Sequence, residues 1–253
     1  MNYRVPLFKV HNPKWEEVGP ELKRIMASGY WAEGDEVAEF EKELVPHVGS
    51  PHVFATASCT AALTLALKAS GVAPGDVVVA PAMTCVATVA PIVALGAKVL
   101  WCDVDPYTGL LDLDRGLMNP GVKPKALIGV DWGGDILPTE RIGQWCKANG
   151  IAFIEDAAQA FGTQAKGADY RCFSFQAIKT LATGDGGCVV ASDAVKAELG
   201  KRLSWFGISR LQFRLPTGEI NWDLDIPAIG FKANMNNIQA AIDMLQDNPT
   251  AAG

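Results

Sequence analysis

One lysine in this sequence stands apart from other charges. In the stretch "SFQAIKTLATGDGG", Ser174 to Gly187, Lys179 follows an aromatic run, and the first acid downstream of it is Asp185, inside a glycine-rich turn. An amine desolvated by apolar neighbours has a lowered pKa and becomes a nucleophile toward aldehydes. A plain exposed lysine is the alternative. A second candidate lies in "IAFIEDAAQAFG", where Asp156 ends an apolar strand and Gln159 follows one turn on. A carboxylate there can pair with a ligand cation, a charged hydrogen bond worth about 1.5–3 kcal/mol. It reads equally well as a loop acid or a helix cap. The third is "ATASCTAAL", where Ser58, Cys59 and Thr60 open a helix just after a strand. Free N–H groups and the helix dipole make such a terminus a phosphate cradle, although Ser and Thr also stand there as simple N-caps.

The three features acquire a joint meaning that none has alone. A phosphate cradle, an acid at a strand end and a buried lysine are the fixtures that pyridoxal phosphate requires: an anchor for its phosphate, a partner for its ring nitrogen and an amine for its aldehyde. No common metal or nucleotide chemistry needs that set.

These residues must be held by a framework, and the hydropathy pattern supplies one. "PKWEEVGPELKRIMASG" and "DEVAEFEKELVPHV" carry apolar residues at helical spacing. Short β-rich runs then alternate with helices: strands at "HVFAT", "DVVVA", "KVLWCDV", "KALIGV", "IAFIED", "RCFSF" and "GGCVVAS", with helices beginning at Ser58, Thr84, Pro138 and Asp193. That alternation predicts an α/β fold, a mainly parallel sheet covered by helices on both faces. In such sheets ligands bind beyond the carboxyl ends of the strands, where Ser58, Asp156 and Lys179 fall. "GFKANMNNIQAAIDMLQDNPTAAG" reads as a loop entering a helix.

The chain has 253 residues, 49% hydrophobic and 20% charged, with net charge −6. This length supports one or two domains with a substantial core. The acidity is dispersed and no Lys/Arg-rich run occurs, so neither nucleic acid nor an anionic membrane is an expected partner. No apolar run reads as a signal peptide or a spanning helix, because "VATVAPIVALGAKVL" is short and contains Pro91, Gly96 and Lys98. Six cysteines without a CxxC pair, beside three histidines, suggest reduced thiols in a cytoplasmic protein and neither a zinc site nor a disulfide framework.

The motifs "VPLFKV", "YWAEGDEVAEFEKEL", "SCTAAL", "PAMTCVAT", "VLWCDVDPYTG", "IEDAAQAFG", "FSFQAIK", "GDGG", "WFGISR" and "GFKANMNNIQAAI" follow one another in this order. In that order the chain resembles the sugar-nucleotide aminotransferases of the DegT/StrS type, within the aspartate aminotransferase-like class of pyridoxal-phosphate enzymes. The resemblance implies a three-layer α/β/α large domain over residues 35–246, an N-terminal segment 1–34 packed on it and a short tail 247–253. Most of a small C-terminal domain would then be missing.

The resemblance further implies that Lys179 is the Schiff-base lysine and that Asp156 pairs with the ring nitrogen while Gln159 lies near the ring hydroxyl. Ser58, Cys59, Thr60 and Ser174 would hold the phosphate. Asn234 would reach the cofactor of a neighbouring subunit, making the active unit a homodimer. Tyr30, Trp31, Trp132 and Arg210 would line the substrate pocket. The implied activity is transfer of an amino group, with L-glutamate as donor, to a nucleotide-linked keto-sugar.

Two positions depart from the resemblance. Cys85 stands where many relatives stack an aromatic ring on the cofactor; it reads either as a small apolar wall for the ring or as an ordinary buried core thiol. Asp131 stands where relatives often have histidine, and the sequence gives it no role. Two rival readings accompany the first: a sugar dehydratase on the same scaffold, against which Lys179 argues because such relatives carry histidine there, and a non-catalytic partner of a full-length aminotransferase.

Overall fold

Seven strands form one sheet among the described residues; six are buried along nearly their whole length, as strands with both faces covered are, and the edge strand Lys98–Cys102 stays partly exposed. The computed structural model describes residues 13–114 and 121–244; the 247–253 tail and the "VPLFKV" motif lie outside them. The strands are β1 (Val53–Thr56), β2 (Val77–Pro81), β3 (Lys98–Cys102), β4 (Ala126–Val130), β5 (Ala152–Asp156), β6 (Tyr170–Ser174) and β7 (Gly187–Ala191). Their order is β1-β7-β6-β5-β4-β2-β3. β7 pairs antiparallel with both β1 and β6, and every other pairing is parallel. One reversed strand in seven agrees with the mainly parallel sheet expected. The reversal follows from connectivity, since β6 reaches β7 by a direct return and not by a helical crossover.

The helices are α1 (Trp15–Ser28), α2 (Asp35–Val48), α3 (Cys59–Ala69), α4 (Val86–Ala94), α5 (Thr139–Asn149), α6 (Ala194–Ser204) and α7 (Asn237–Met244). Strand alternation sorts the core into two layers. Phe54, Val78, Ile128, Ile154, Cys172 and Val189 face the layer built on α3. Val53, Phe173, Cys188 and Val190 face the opposite side with Phe40 and Leu44 of α2. There Val79, Leu127 and Phe153 pack on Ile142 and Cys146 of α5. The result is the three-layer sandwich that the crossovers demand. Against it, α1 buries Val18 and Ile25.

α3 is the most enclosed helix, burying Ala62, Leu63, Leu65, Ala66 and Leu67. Its first turn comes so close to the sheet that a Cβ on Gly187 would lie 2.6 Å from the Cys59 nitrogen and 2.6 Å from the Phe173 carbonyl oxygen. Both neighbours are backbone and cannot rotate away. Gly187→Ala is therefore expected to cost about 1–3 kcal/mol or more through overpacking, read as a lower midpoint in urea denaturation. An unchanged midpoint would show that α3 is free to slide on the sheet.

Candidate active site

Five strand ends converge on one cavity of about 290 Å³. It opens where β1, β2, β4, β5 and β6 give way to loops, the carboxyl edge at which open α/β sheets bind ligands. Lys179, Asp156, Ser58, Cys59, Thr60, Gln159, Ser174, Cys85 and Trp132 line it.

The α3 terminus forms one wall. The Ser58 hydroxyl accepts from the Ala61 N–H at 3.1 Å, and the first turn carries no acid to offset the positive end of the dipole. The N–H groups of the first turn are the ones a helix cannot satisfy internally. A phosphate there fits the chemistry on offer.

Asp156 forms the floor and is 5% exposed. Its Oδ2 accepts from the Thr88 hydroxyl at 2.6 Å and its Oδ1 from the Ala158 N–H at 3.2 Å, with the Cys59 thiol 4.0 Å from Oδ1. Burial pushes its carboxyl above the ordinary range, while the Thr88 and Ala158 hydrogen bonds and the Lys179 charge pull it back. Thr88 was not among the sequence-derived candidates. The one signal in the sequence is a lone hydroxyl residue in the apolar stretch "VATVAPIVA"; the structure buries it fully.

Gln159 is fixed from the neighbouring loop. Its Oε1 accepts from the Gly133 N–H at 2.7 Å, which leaves the amide NH₂ as the donor available to a ligand. Gly133 sits in the short turn Trp132–Gly134 with φ +71°, a conformation that favours glycine.

Lys179 rides on the loop between β6 and β7. Thr183 N–H to Phe175 O (2.8 Å), Phe175 N–H to Gly186 O (2.9 Å) and Ala177 N–H to Gly184 O (3.1 Å) close that loop on itself. The Asp185 carbonyl accepts from the Thr183 hydroxyl and from Gln239 Nε2 of α7, both at 2.6 Å. These bonds position the lysine without enclosing it. Lys179 is half-buried, so the structure corrects the expectation of a buried lysine.

Cys85 is exposed at the cavity wall, which settles the alternatives: it is no core thiol. Asp131 also acquires a setting. It is fully buried, accepts from the Leu137 N–H at 3.1 Å and lies 3.5 Å from Arg171 Nη2. Arg171 Nε in turn lies 2.9 Å from Glu155 Oε1. Two acids and one guanidinium thus share a closed space beside the site. Burial and the Asp131 charge push the Glu155 carboxyl up to about 8 against the pull of Arg171.

Asn234, Tyr30, Trp31 and Arg210 do not line the cavity of their own chain. Asn234 forms an antiparallel bridge with Thr56 and donates to the Met235 carbonyl at 3.0 Å. Arg210 donates to the Glu33 carbonyl at 3.0 Å and stacks over Trp205 at 4.8 Å. The Trp31 indole donates to the Met26 carbonyl at 3.1 Å, and the Tyr30 carbonyl accepts from the Asn237 amide at 3.2 Å.

The decisive comparison covers nearly the whole chain: residues 14–246 match the model of the DegT/DnrJ/EryC1/StrS aminotransferase family. The chain belongs to this family. Among its relatives is the spore coat polysaccharide biosynthesis protein SpsC of Bacillus subtilis, 35% identical over 89% of this chain and 60% of the relative. Another is the UDP-2-acetamido-2-deoxy-3-oxo-D-glucuronate aminotransferase of Pseudomonas aeruginosa, 31% identical over 90% of this chain and 62% of the relative. The solved structure of Spr1654 from Streptococcus pneumoniae in its PLP form superposes with a TM-score of 0.80 at 26% identity, covering 98% of this chain and 68% of that one. The family member described here therefore spans about 60% of the length of the curated relatives it matches.

Proposed function

We propose that this chain is the cofactor-binding part of a pyridoxal-phosphate-dependent aminotransferase that moves an amino group, with L-glutamate as donor, onto a nucleotide-linked keto-sugar. The observation that carries the reading is the single cavity joining Lys179, Asp156 and the α3 N-terminus. An amine, a carboxylate and an anion cradle are the donor set this cofactor needs, and all three are present in one space. Membership of the aminotransferase family and the PLP form of Spr1654 support it; the P. aeruginosa relative, named for a UDP-sugar, supports the substrate class.

When bound, the cofactor supplies an aldehyde for amines and a ring that withdraws electrons from the substrate carbon. The protein's residues divide the remaining work. The α3 N-terminus with Ser58, Thr60 and Ser174 binds the phosphate. Asp156 holds a negative charge on the cavity floor for the ring nitrogen, and the Gln159 amide donates to the ring hydroxyl. Lys179 Nζ would be the amine that holds the cofactor through its aldehyde, and as a free amine it would be the base placed to carry a proton to and from the substrate carbon. Exposed Cys85 offers a small soft wall where an aromatic residue would cover more of the ring, so cofactor affinity is expected to be modest.

In this reading the unit is a cytoplasmic homodimer, with Asn234, Tyr30, Trp31 and Arg210 serving the partner's cavity. Their positions away from their own cavity and the half-exposed Tyr30 and Trp31 support the shared site. Among the described residues no helix is long and apolar enough to cross a membrane.

The test is spectroscopic. Purified protein mixed with pyridoxal phosphate should turn yellow and, if reduced with borohydride at that stage, carry the cofactor mass on the Lys179 peptide; a second sample given L-glutamate instead should lose the colour. A colourless protein, or label spread over surface lysines, would overturn the proposal. A yellow protein indifferent to L-glutamate would remove the donor and the independent activity, leaving a cofactor-binding partner of another chain.

A further inference from the structure

Asp156 has a tether that none of the expected site residues provides. Thr88 lies in the first turn of α4, fully buried, and its hydroxyl donates to Asp156 Oδ2 at 2.6 Å across 68 positions of sequence. A threonine inside a helix usually gives its proton to a carbonyl one turn back. This one gives it to a carboxylate on another element. The Thr84 hydroxyl donates to Thr88 Oγ1 at 2.7 Å. A hydroxyl has a single proton, so when Thr88 gives its proton to the carboxylate it must accept from Thr84, and both protons then point toward the acid. Only the ionised carboxylate is a pure acceptor for such a relay.

We propose, on the basis of the cofactor reading above, that Thr88, oriented by Thr84, is the positioning residue of the site: its hydroxyl keeps Asp156 ionised and aimed, so that the proton shared with the cofactor stays on the ring nitrogen.

Ionisation needs this help because the acid is enclosed. Burial raises the Asp156 carboxyl, and the Thr88 hydrogen bond is the strongest influence acting in the other direction, ahead of the Ala158 N–H and Lys179. The charged and titratable groups facing it are Lys179 from the β6–β7 loop, Asp131 after β4, Cys59 of α3 and Cys172 of β6. Lys179 favours the anion and Asp131 opposes it. Without the hydroxyl, the carboxylate becomes the better base. The proton then moves from nitrogen to oxygen, and the ring loses the positive charge that lets it withdraw electrons. The number of protons is unchanged; only their place differs.

The experiment is nitrogen NMR of the protein loaded with pyridoxal phosphate carrying ¹⁵N in its ring. In Thr88→Val the ratio of protonated to unprotonated nitrogen should fall roughly ten- to a hundredfold, the equivalent of one hydrogen bond to a charged group. The ¹⁵N shift moves accordingly toward the unprotonated value. Thr88→Ser, which retains the hydroxyl, should keep the wild-type shift, a rescue that a purely packing role would not predict. The first half-reaction with L-glutamate should slow by a similar factor in Thr88→Val with the KM for glutamate unchanged. Thr84→Val, one bond further out, should move the shift in the same direction by less, and it serves if Thr88→Val does not fold. Variants that bind the cofactor and retain the wild-type nitrogen shift overturn this inference alone. A wild-type protein that binds no cofactor overturns the function on which it rests.

Discussion

Lys179→Ala should lose covalent attachment of pyridoxal phosphate altogether, with no cofactor mass on the residue 179 peptide after borohydride reduction. The glutamate half-reaction should fall by roughly 10²–10⁴-fold or more, because in the proposed function one side chain supplies both the attachment point and the proton carrier. The fold should not notice. Lys179 is half-buried on a loop whose closure rests on backbone bonds from residues 175–186 and on Gln239. A stability change within about 0.5 kcal/mol is therefore expected. Retained cofactor affinity without covalent attachment would be consistent, since the α3 terminus and Asp156 remain. Full transamination by the variant would sink the assignment of Lys179.

The second large effect concerns stability. Arg171→Met should cost about 3–5 kcal/mol, the usual result of stripping the partner from a buried charge. Arg171 is 4% exposed and lies between fully buried Glu155 and Asp131. It also donates to the Thr163 hydroxyl at 2.6 Å, bonds the Thr163 carbonyl and sits 4.8 Å from the Phe173 ring centre. Methionine fills part of the volume and satisfies none of the acids.

The pH dependence follows from Glu155, whose folded-state carboxyl is pushed up to about 8. Between the ordinary carboxylate range and about 8 the folded protein holds a proton that the unfolded chain has released, so this group's contribution to stability falls as pH rises through that window. Removing Arg171 raises the proton affinity of Glu155 further. The variant's deficit should therefore be larger near pH 9 than near pH 5. Glu155→Gln should behave in the opposite way, flattening the pH profile and recovering stability at the alkaline end. Urea denaturation across that range reads both, and parallel curves for wild type and Glu155→Gln would show that Glu155 does not titrate in the fold.

The network also answers what the sequence left unexplained at position 131. Asp131 is held by the Leu137 N–H and faced by Arg171, at the root of the turn whose Gly133 N–H fixes Gln159. Its partner is 40 positions away, and no local pattern connects "VDWGG" to "YRCFSF".

The sequence by itself determined the elements and the candidate residues at their ends. Strand runs, helical stripes and the Ser58 cap are signals carried within a few residues by backbone period and local hydrogen bonding. Lys179 and Asp156 were legible because each stands at a strand-to-loop junction, and the order of motifs placed the chain in its family. Only the tertiary structure decided the rest. Strand order and the reversed β7 depend on which apolar faces meet. The exposure of Cys85 and the half-burial of Lys179 depend on what packs above them. The Thr88 hydroxyl on Asp156 and the Arg171 bridge between two acids join side chains 68 and 40 positions apart. Such pairings exist only once the sheet brings strand ends together, because neither partner's neighbours in sequence carry any trace of the other.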